Sequence, residues 1–260
     1  MNSMFDLTGR AAMVTGAGSD TGIGFVTARA LCTMGASVLI TSTTDRIHDR
    51  VRELEKIGGD VMGVAGDLTH VDTAPTLVDA AIQRWGRLDI VIQNAGMTSI
   101  SSPSSAAGNI QQMEYAQWRE GMSRNLDATF LVSKACLPIM TAAQWGRLIF
   151  VSSVTGPVMA MRGEPAYAAA KAAVVGLARA LALDTAHQGV TVNAIAPGWI
   201  KTGSQTPHEF RQGERAPVGR SAEPEEVASA ICWLASPLAS YITGQCVVVD
   251  GGNSIAEERG

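Results

Sequence analysis

Two side chains that could exchange protons, Tyr167 and Lys171, stand four residues apart. An Ala- and Leu-rich run predicts a helix from Pro165 to about residue 187, because proline is tolerated in a first helical turn. Residues four apart are neighbours on one face of a helix. A nearby ammonium favours the phenolate, and lowering the phenol pKa by about three units takes about 4 kcal/mol. The pair could therefore act as an acid and its activator, or it could be a packed aromatic and a solvated amine.

Two serines, Ser152 and Ser153, follow an apolar run over 147–151 that predicts a strand. The carboxyl end of a strand is where open α/β sheets place their ligands. The segment between Ser153 and Tyr167 is long enough to turn the helix back toward the strand. We therefore expect a serine hydroxyl to meet the Tyr167 phenol.

A glycine-rich turn lies between a predicted strand and a predicted helix near the amino terminus. The apolar run 11–16 is followed by GAGSDTGIG and then by FVTARALCTMG. Strand, glycines and helix in this order are typical of dinucleotide binding, since glycines let backbone N–H groups approach a pyrophosphate and a helix amino terminus adds positive charge. The same glycines could also serve only to make a turn.

The residues after the second predicted strand, 37–41, bear on the choice between NAD and NADP. An acid at this place accepts hydrogen bonds from the ribose hydroxyls of NAD and repels a 2′-phosphate. Here the strand is followed by Ser42, Thr43, Thr44, Asp45 and Arg46. Three hydroxyls and a cation favour NADP over NAD. Asp45 in the decisive place would reverse that preference, and the arginine could be an ordinary exposed residue at the start of a helix.

The order of the serine, the tyrosine and the lysine resembles the short-chain dehydrogenase/reductase family. By register with that family, Ser153 followed by Val-Thr-Gly is the better match, and Ser152 is the alternative. The resemblance covers nearly the whole chain. It implies a single α/β domain over 1–260, with a Rossmann-like doubly wound parallel sheet of about seven strands and helices on both faces. Within the family the chain looks most like the 3-oxoacyl-acyl-carrier-protein reductases.

The family's glycine fingerprint is TGxxxGxG, and this chain departs from it. Thr15 and Gly16 match the start and Gly22-Ile23-Gly24 match the end, but five residues intervene instead of three. The insertion around Ser19-Asp20-Thr21 should enlarge the loop. Because it is an acid, Asp20 would have to point away from the phosphates.

Further motifs in the family's order imply the rest of a cofactor site. Asp67-Leu68 resembles the adenine-contacting pair, QNAG resembles NNAG beside the ribose and nicotinamide, and PGWIKT resembles PGxxxT at the carboxamide. The cofactor-binding residues implied by these likenesses and by the second strand are Gly16, Ser19, Gly22, Ile23, Ser42, Thr43, Arg46, Asp67, Leu68, Asn94, Ala95, Gly96, Tyr167, Lys171, Pro197, Ile200 and Thr202.

The resemblance implies hydride transfer between a nicotinamide and a carbonyl carbon. Tyr167 would donate the proton, Ser153 would hydrogen-bond the substrate oxygen, and Lys171 would lower the tyrosine pKa and bind the nicotinamide ribose. Asn125, in NLDATF, would interrupt the helix predicted over 114–140 and hold a water that connects the lysine to solvent.

The implied reaction is the NADP-dependent reduction of a ketone, a 3-oxoacyl thioester or a related carbonyl, to a secondary alcohol. Reductases of carrier-bound substrates commonly carry basic surface, whereas this chain is acidic, although Arg119, Arg124 and Arg162 could form a local basic patch. An NAD-dependent dehydrogenase of a polyol, a sugar or a cyclic alcohol is therefore the alternative. A catalytically idle nucleotide-binding regulatory protein is a more remote one.

Two polar segments are predicted as loops. Residues 97–113 are rich in serine and glycine, and residues 203–217 are polar, contain proline and lack a period. A long polar loop beside a cleft is typical of a mobile lid, so a substrate lid is expected within 199–220. Relatives pair subunits through the helices that contain residues 114–140 and Tyr167, so the resemblance also implies a homotetramer.

Composition argues against several other classes of function. Hydrophobic residues make up 46% of the 260 residues and charged residues 17%, which is typical of globular proteins. A net charge of −4 argues against a nucleic-acid partner. No apolar run is expected to reach the about 20 residues that span a bilayer, so no membrane partner and a cytoplasmic location are predicted.

The cysteines and histidines predict neither a disulfide framework nor a metal site. The four cysteines are scattered without CxxC spacing, as expected of small core residues in a reducing compartment. The four histidines have no ligand spacing.

Overall fold

The chain forms one parallel β-sheet with helices on both faces. The structure, a computed structural model, describes residues 5–96 and 108–257. In that part of the chain seven strands follow the order β3-β2-β1-β4-β5-β6-β7, and neighbouring strands are parallel. The predicted doubly wound Rossmann-like fold is confirmed. The strands are β1 Ala11–Val14, β2 Ser37–Ser42, β3 Val61–Ala65, β4 Ile90–Gln93, β5 Gly146–Val151, β6 Val190–Pro197 and β7 Cys246–Val249.

Helices cover the two faces because adjacent strand residues point to opposite sides of the sheet. Val14 packs in the core beneath the first, second and eighth helices, and Met13 packs in the core beneath the third, fifth and sixth. The α-helices of the described residues are α1 Ile23–Thr33, α2 Ile47–Glu55, α3 Thr73–Trp85, α4 Tyr115–Met122, α5 Ala128–Ala142, α6 Pro165–Thr185, α7 Pro207–Glu214 and α8 Pro224–Ala235.

The strand order reverses at β1, which lies between β2 and β4. Met13 is in register with Leu39 on one side and with Val91 on the other. The connections therefore diverge above β1 and β4, and a crevice opens at the carboxyl ends of these strands. The residues that follow each strand are placed around this crevice.

The helix predicted over 114–140 is interrupted as expected. A π-helical turn, Ser123–Asp127, separates α4 from α5 and contains Asn125. Such turns are rare and occur frequently at functional sites. The interruption places the asparagine side chain beside the crevice instead of along a regular helix face.

The segment predicted as a loop over 203–217 contains a helix, so that part of the prediction is wrong. Pro207 begins α7, the Thr206 hydroxyl accepts from the Glu209 N–H, and the Glu209 carboxylate accepts from the Thr206 N–H. This capping box is a strong helix-start signal that the polar composition conceals. Of the other predicted loop, residues 97–107 lie outside the described residues.

One helix in the described residues, Pro165–Gln188, is long and apolar enough by length and composition alone to cross a membrane. This corrects the expectation that no run reaches that length. It comprises α6 and a 3₁₀ turn, and Ala170, Val174 and Ala178 on one side of α6 are buried in the core. Packing against the sheet accounts for this apolar composition.

Candidate active site

The start of α6 brings Tyr167 to the end of β5. Pro165 occupies the first turn of the helix, and Tyr167 follows within that turn. The Tyr167 phenol is hydrogen-bonded to the side chain of Ser153, which also accepts from the Thr155 N–H at 3.1 Å. The loop between the strand and the helix therefore does turn back, as the sequence predicts.

The two serines have different partners. Ser152 is buried and its hydroxyl donates to the Lys171 carbonyl at 2.9 Å, which ties β5 to α6. Ser153 is partly exposed and faces Tyr167. The geometry thus favours Ser153 over Ser152 as the residue that contacts a substrate.

Lys171 lies one helical turn beyond Tyr167, inside the molecule. Its side chain is buried, its Nζ donates to the Val151 carbonyl at 2.8 Å, and its Nζ lies 5.6 Å from the centroid of the tyrosine ring. Burial lowers the pKa of Lys171 to about 8, because a charged amine is poorly solvated there. This lysine therefore changes its charge close to neutral pH.

The expected lowering of the Tyr167 pKa is not found. Burial raises the pKa of Tyr167 to about 12, and the charges of Glu164 and Glu209 also raise it, while the Ser153 hydrogen bond lowers it. The Lys171 ammonium is turned to a backbone carbonyl, so it does not offset these effects. In this state the phenol keeps its proton at neutral pH, which is the form a proton donor requires.

Asn125 and Lys171 meet at Gly96. A Cβ atom on Gly96 would lie 2.7 Å from the Asn125 Oδ1 and 3.1 Å from the Lys171 Nζ. The Asn125 amide Nδ2 donates to the Gly121 carbonyl at 3.0 Å, and the Thr129 hydroxyl donates to the Asn125 carbonyl at 2.6 Å. Gly96 thus leaves room for Asn125 and Lys171, and Lys171 in turn lies beside Tyr167, which meets Ser153.

A cavity of about 620 Å³ opens at the carboxyl ends of the strands. Its wall includes many of the predicted cofactor-binding residues, and its volume is that of a cofactor-sized cleft. The predicted residues that line it are Gly16, Ser19, Ser42, Thr43, Arg46, Asp67, Leu68, Asn94, Ala95 and Gly96.

The other predicted cofactor-binding residues, including Tyr167 and Lys171, do not line this cavity. Gly22 caps α1 and Ile23 begins it, while Pro197 ends β6. Ile200 forms a parallel bridge with Ala222, and the Thr202 hydroxyl lies 3.0 Å from the Ser204 hydroxyl. These predicted residues therefore stand outside the wall of this cavity.

The cavity wall next to Arg46 fits a phosphate. A Cβ on Gly18 would lie 2.5 Å from the Arg46 Nε and 2.7 Å from the Ser42 Cβ, so only glycine admits this guanidinium. The Arg46 Nε is buried and has no hydrogen-bond partner among the described residues. Asp45 is exposed and does not line the cavity. A buried guanidinium N–H without an acceptor is a binding position for an anion.

Asp67 is held by its own turn. Its carboxylate accepts from the Thr69 N–H at 2.9 Å and the Thr69 hydroxyl at 2.8 Å, and its carbonyl accepts from the Thr73 hydroxyl at 2.7 Å. Leu68 is buried between these residues and the sheet. The turn presents an apolar side chain and a fixed carboxylate at one end of the cavity, as adenine contact requires.

Two residues outside the predicted site, Thr15 and Gln93, join the ends of β1 and β4. The Thr15 hydroxyl donates to the Gln93 Oε1 at 2.6 Å and accepts from the Asn94 and Ala95 N–H groups, each at 3.0 Å. The Asn94 Nδ2 donates to the carbonyls of Thr15 and Gly16. The departure from NNAG to QNAG could have identified Gln93 as a residue with a role of its own.

The acidic residue of the insertion points away from the cavity, as expected. The Asp20 carboxylate is exposed and lies 3.9 Å from the Arg50 Nη1 on α2. Ser19, the preceding residue, lines the cavity. The longer loop thus keeps a hydroxyl near the phosphate region while its acid pairs with another helix.

The proposed basic patch is only partly assembled. Arg119 and Arg124 line the cavity, where they pair with Asp127 at 4.0 Å and with Glu120 respectively. Arg162 lies in the loop before α6 and is exposed. Because the first two arginines have acidic partners, they do not form an uncompensated basic surface.

No metal-binding group of histidine, cysteine or acidic residues occurs within 5–96 and 108–257. The four cysteines are free thiols in these ranges. Burial raises the pKa of Cys32, Cys136 and Cys232 to about 12, so these thiols are poor nucleophiles.

Comparison with known proteins finds relatives along nearly the whole chain. A family model described as Enoyl-(Acyl carrier protein) reductase matches residues 16–254. A cis-4-hydroxycyclohexanecarboxylate dehydrogenase of Sinomonas cyclohexanicum is 38% identical over 94% of this chain and 96% of the relative. A 3-oxoacyl-acyl-carrier-protein reductase of Vibrio cholerae is 36% identical over 95% of this chain and 98% of the relative.

A solved structure has the same fold. It is a protein of Beutenbergia cavernae described as an NAD(P)-dependent gluconate 5-dehydrogenase, with NADP bound at low occupancy. The TM-score is 0.88 at 35% sequence identity, and the match covers 98% of this chain and 100% of that one. The sheet and helices described above are therefore arranged as in that solved structure.

Proposed function

The chain belongs to the short-chain dehydrogenase/reductase family of oxidoreductases, and we propose that it reduces a ketone to a secondary alcohol with NADPH. The observation that carries this proposal is the convergence of Ser153, Tyr167, Lys171 and Asn125 at the carboxyl edge of the sheet, beside a cofactor-sized cavity. The hydroxyl follows β5, the phenol and the amine lie on α6, and the asparagine lies in the π-helical turn before α5, so the four side chains come from three separate stretches of the chain. The chain of contacts from Ser153 through Tyr167 and Lys171 to Asn125 is unlike the scattered polar contacts of an ordinary surface.

The cofactor, when bound, supplies a hydride to the carbonyl carbon. Tyr167 donates its phenolic proton to the carbonyl oxygen as the C=O π bond breaks, and Ser153 donates a hydrogen bond to the same oxygen. A neutral phenol is the form needed for this direction, which agrees with the raised pKa of Tyr167. Lys171 and Asn125, on either side of Gly96, provide the polar route by which the tyrosine regains a proton.

We propose NADP over NAD because of the Arg46 environment. The guanidinium Nε lacks an acceptor, Gly18 leaves space for it, and Ser42 stands beside it. A 2′-phosphate would supply the missing acceptor through a charge-assisted hydrogen bond. The exposed Asp45 would not compete with the phosphate for this position.

The first substrate class is a 3-oxoacyl thioester or a related carbonyl, on the likeness to the acyl-carrier-protein reductases. A second class, polyols, sugars or cyclic alcohols, is favoured by the two carboxylates near Tyr167. Glu164 precedes α6 and Glu209 lies on α7, and both act electrostatically on the tyrosine. Carboxylates accept hydrogen bonds from hydroxyl groups, and the dehydrogenase relatives act on hydroxylated compounds according to their names.

We further propose that residues 199–220 form the substrate lid of a single 1–260 domain.

We also propose that the protein is a cytoplasmic homotetramer. The exposed apolar residues Phe130 on α5 and Leu183 on α6 support pairing through these helices. The edge strand β7 exposes Val248, which offers a second apolar contact. Light scattering coupled to size exclusion would give the subunit number.

The experiment that tests the function is a substrate panel with both cofactors. NADPH and NADH are each supplied with an acetoacetyl thioester, a crotonyl thioester and simple ketones, and NADP and NAD with polyols and cyclohexanols. We expect NADPH oxidation with the acetoacetyl thioester or a ketone. Turnover of the crotonyl thioester instead would assign double-bond reduction, and NAD reduction by alcohols would assign the second substrate class. NADPH binding without turnover of any compound would support the idle alternative.

A further inference from the structure

The insertion in the glycine loop contacts the start of the proposed lid. The Thr21 hydroxyl accepts a hydrogen bond from the Gly203 N–H at 3.0 Å, across 182 residues of chain. The Ser19 hydroxyl, which belongs to the cavity wall, lies 3.5 Å from the Thr21 hydroxyl. A short polar connection therefore runs from the phosphate region of the cavity to the backbone of the lid.

Close approach at this contact depends on glycine. A Cβ on Gly203 would lie 2.8 Å from the Thr21 hydroxyl and 3.8 Å from the Ser19 hydroxyl. The first distance is shorter than a side chain tolerates. The lid backbone thus rests directly on the insertion, without an intervening side chain.

The lid residues that precede Gly203 are held at a second point. The Lys201 N–H donates to the Ala222 carbonyl at 2.8 Å, and the Ala222 N–H donates to the Trp199 carbonyl at 2.9 Å. Thr202 lies between this pairing and Gly203. Its position is therefore fixed by the pairing of residues 199–201 with Ala222.

The acidic residue of the insertion, Asp20, faces α2. Its carboxylate lies 3.9 Å from the Arg50 Nη1, and the Arg50 guanidinium carbon lies 5.5 Å from the centroid of the Phe25 ring on α1. The inserted residues thus lie between α2 and the start of the lid. The hydrogen bond from Gly203 to Thr21 is the closer of the two contacts, because the exposed Asp20 is at the distance limit of an ion pair.

We propose that Thr21 is a positioning residue that holds the lid from Gly203 onward against the cofactor-binding glycine loop, while the pairing of Lys201 with Ala222 keeps Thr202 in place without it. This inference rests on the proposed function, since it assigns 199–220 to the substrate lid. Loss of the Thr21 acceptor frees the Gly203 N–H and loosens the lid, so the carbonyl substrate binds less tightly. The cofactor keeps its contacts with the glycine loop, and the chemical step keeps its tyrosine.

The test compares Thr21→Val, which is isosteric but has no hydroxyl, with Thr21→Ser, which keeps the hydroxyl. Thr33→Val is the matched control, because Thr33 is exposed on α1 and its hydroxyl donates only to the Arg29 carbonyl of its own helix. Amide hydrogen exchange of residues 202–206 is measured with saturating NADPH. The KM and kcat for an acetoacetyl thioester and the Kd of NADPH are then measured for each variant.

We expect Thr21→Val to speed the exchange of the Gly203 amide and to raise the substrate KM by about three- to tenfold, the worth of one hydrogen bond. The kcat and the NADPH Kd should stay within about twofold, and Thr21→Ser and Thr33→Val should behave like the wild type. Unchanged exchange in Thr21→Val, an equal defect in Thr21→Ser, or a change in NADPH affinity in place of KM would overturn the proposal. If the wild type reduces no carbonyl, the proposed function fails, while the exchange comparison still decides whether Thr21 holds the lid.

Discussion

At the amino ends of the strands, the buried carboxylate of Asp89 accepts hydrogen bonds from Arg10, from Arg87 and from the Ala11 N–H. At the carboxyl ends, the buried amine of Lys171 donates to a backbone carbonyl and has no carboxylate partner in the described part of the chain. The same sheet thus buries one charge with several partners and another with a neutral acceptor. The first arrangement favours stability, and the second is the kind that proteins retain for function.

Arginines show the same difference. Arg147, at the start of β5, is buried, donates to the carbonyls of Gly146 and Ser236, and lies 4.3 Å from the Trp145 ring centroid. Arg46, at the carboxyl edge, has a buried Nε without an acceptor. Thr41 and Gln93, at the same edge, also have buried polar atoms without a hydrogen-bond partner in the part of the chain that the structure describes. At the amino ends of the strands, the Thr191 hydroxyl is such an atom. At the carboxyl edge, a bound ligand would therefore supply hydrogen-bond partners that these buried atoms lack.

The largest effect is expected from Tyr167→Phe, which removes the proton donor and leaves the packing. The kcat should fall by about a thousandfold, within the range that general acid catalysis supplies. The Kd of NADPH, measured by fluorescence titration, should stay within about twofold because the ring is retained. A variant that keeps near-normal kcat would show that another group donates the proton.

Asp89→Asn disrupts the buried charge cluster at the amino ends of the strands. The N–H groups of Arg10, Arg87 and Ala11 would then face a neutral amide, and the free energy of unfolding should fall by about 3 kcal/mol. The activity at 25 °C should be unchanged. Arg87 and the other donors lower the pKa of Asp89, so its stabilisation is present above its unfolded pKa of about 3.9 and is lost as pH falls through the lower folded value.

Urea denaturation across pH measures this difference. The gap between wild type and Asp89→Asn should narrow on acidification below about pH 4. The control is Asp79→Asn, because Asp79 is exposed on α3. A loss of activity without a loss of stability would contradict a purely structural role for the amino edge.

The anion position at the carboxyl edge is tested by Arg46→Ala. Removal of one charge-assisted contact, worth about 2 kcal/mol, should raise the KM of NADPH by about 30-fold. The KM of NADH should change little, since NADH lacks the 2′-phosphate. Arg52→Ala is the control, because Arg52 is exposed on α2, which begins directly after Arg46, and pairs with Asp49. An equal loss for both cofactors would place Arg46 outside the phosphate site.

Lys171→Met should change the free energy of unfolding by less than Asp89→Asn does, and in the opposite direction. The variant should lose activity yet gain about 1 kcal/mol in the free energy of unfolding at pH 7, since it removes a poorly solvated charge. Burial lowers the pKa of Lys171 from 10.5 to about 8, so between these values the unfolded chain binds more protons and wild-type stability rises with pH.

The advantage of Lys171→Met should therefore shrink between about pH 8 and pH 10. Chemical denaturation at each pH measures it, with Lys134→Met on the exposed side of α5 as the control. If Lys171→Met is less stable than the wild type throughout, the hydrogen bond to Val151 outweighs the cost of burial.

Features set by local sequence could be predicted. The helix predicted from Pro165 to about residue 187 is found as α6, Pro165–Thr185, with a 3₁₀ turn after it, since proline favours a first helical turn and the alanines and leucines that follow favour a helix. The interruption at Asn125 followed from the family likeness, which also ordered the strands. The helix α7 was not predicted, because the segment is polar and contains proline, although Thr206 and Glu209 form a capping box at its start.

Features that depend on distant parts of the chain could not be predicted. The direction of the Tyr167 pKa shift depends on burial and on Glu209, which reaches the site only after α7 has folded over it. The contact between Thr21 and Gly203 and the one between Thr15 and Gln93 join separate segments through side-chain hydroxyls. No periodicity or local propensity encodes such pairs.

The most direct test of the account follows the hydride itself. NADPH deuterated at C4 of the nicotinamide, on each face in turn, is oxidised by the enzyme with an acetoacetyl thioester or a ketone from the panel, and the alcohol is analysed by mass spectrometry and NMR. We expect deuterium from one face to appear on the carbinol carbon, and Tyr167→Phe to slow its transfer by about a thousandfold. Binding of NADPH with no labelled alcohol from any carbonyl, or equal transfer by Tyr167→Phe, would contradict this expectation.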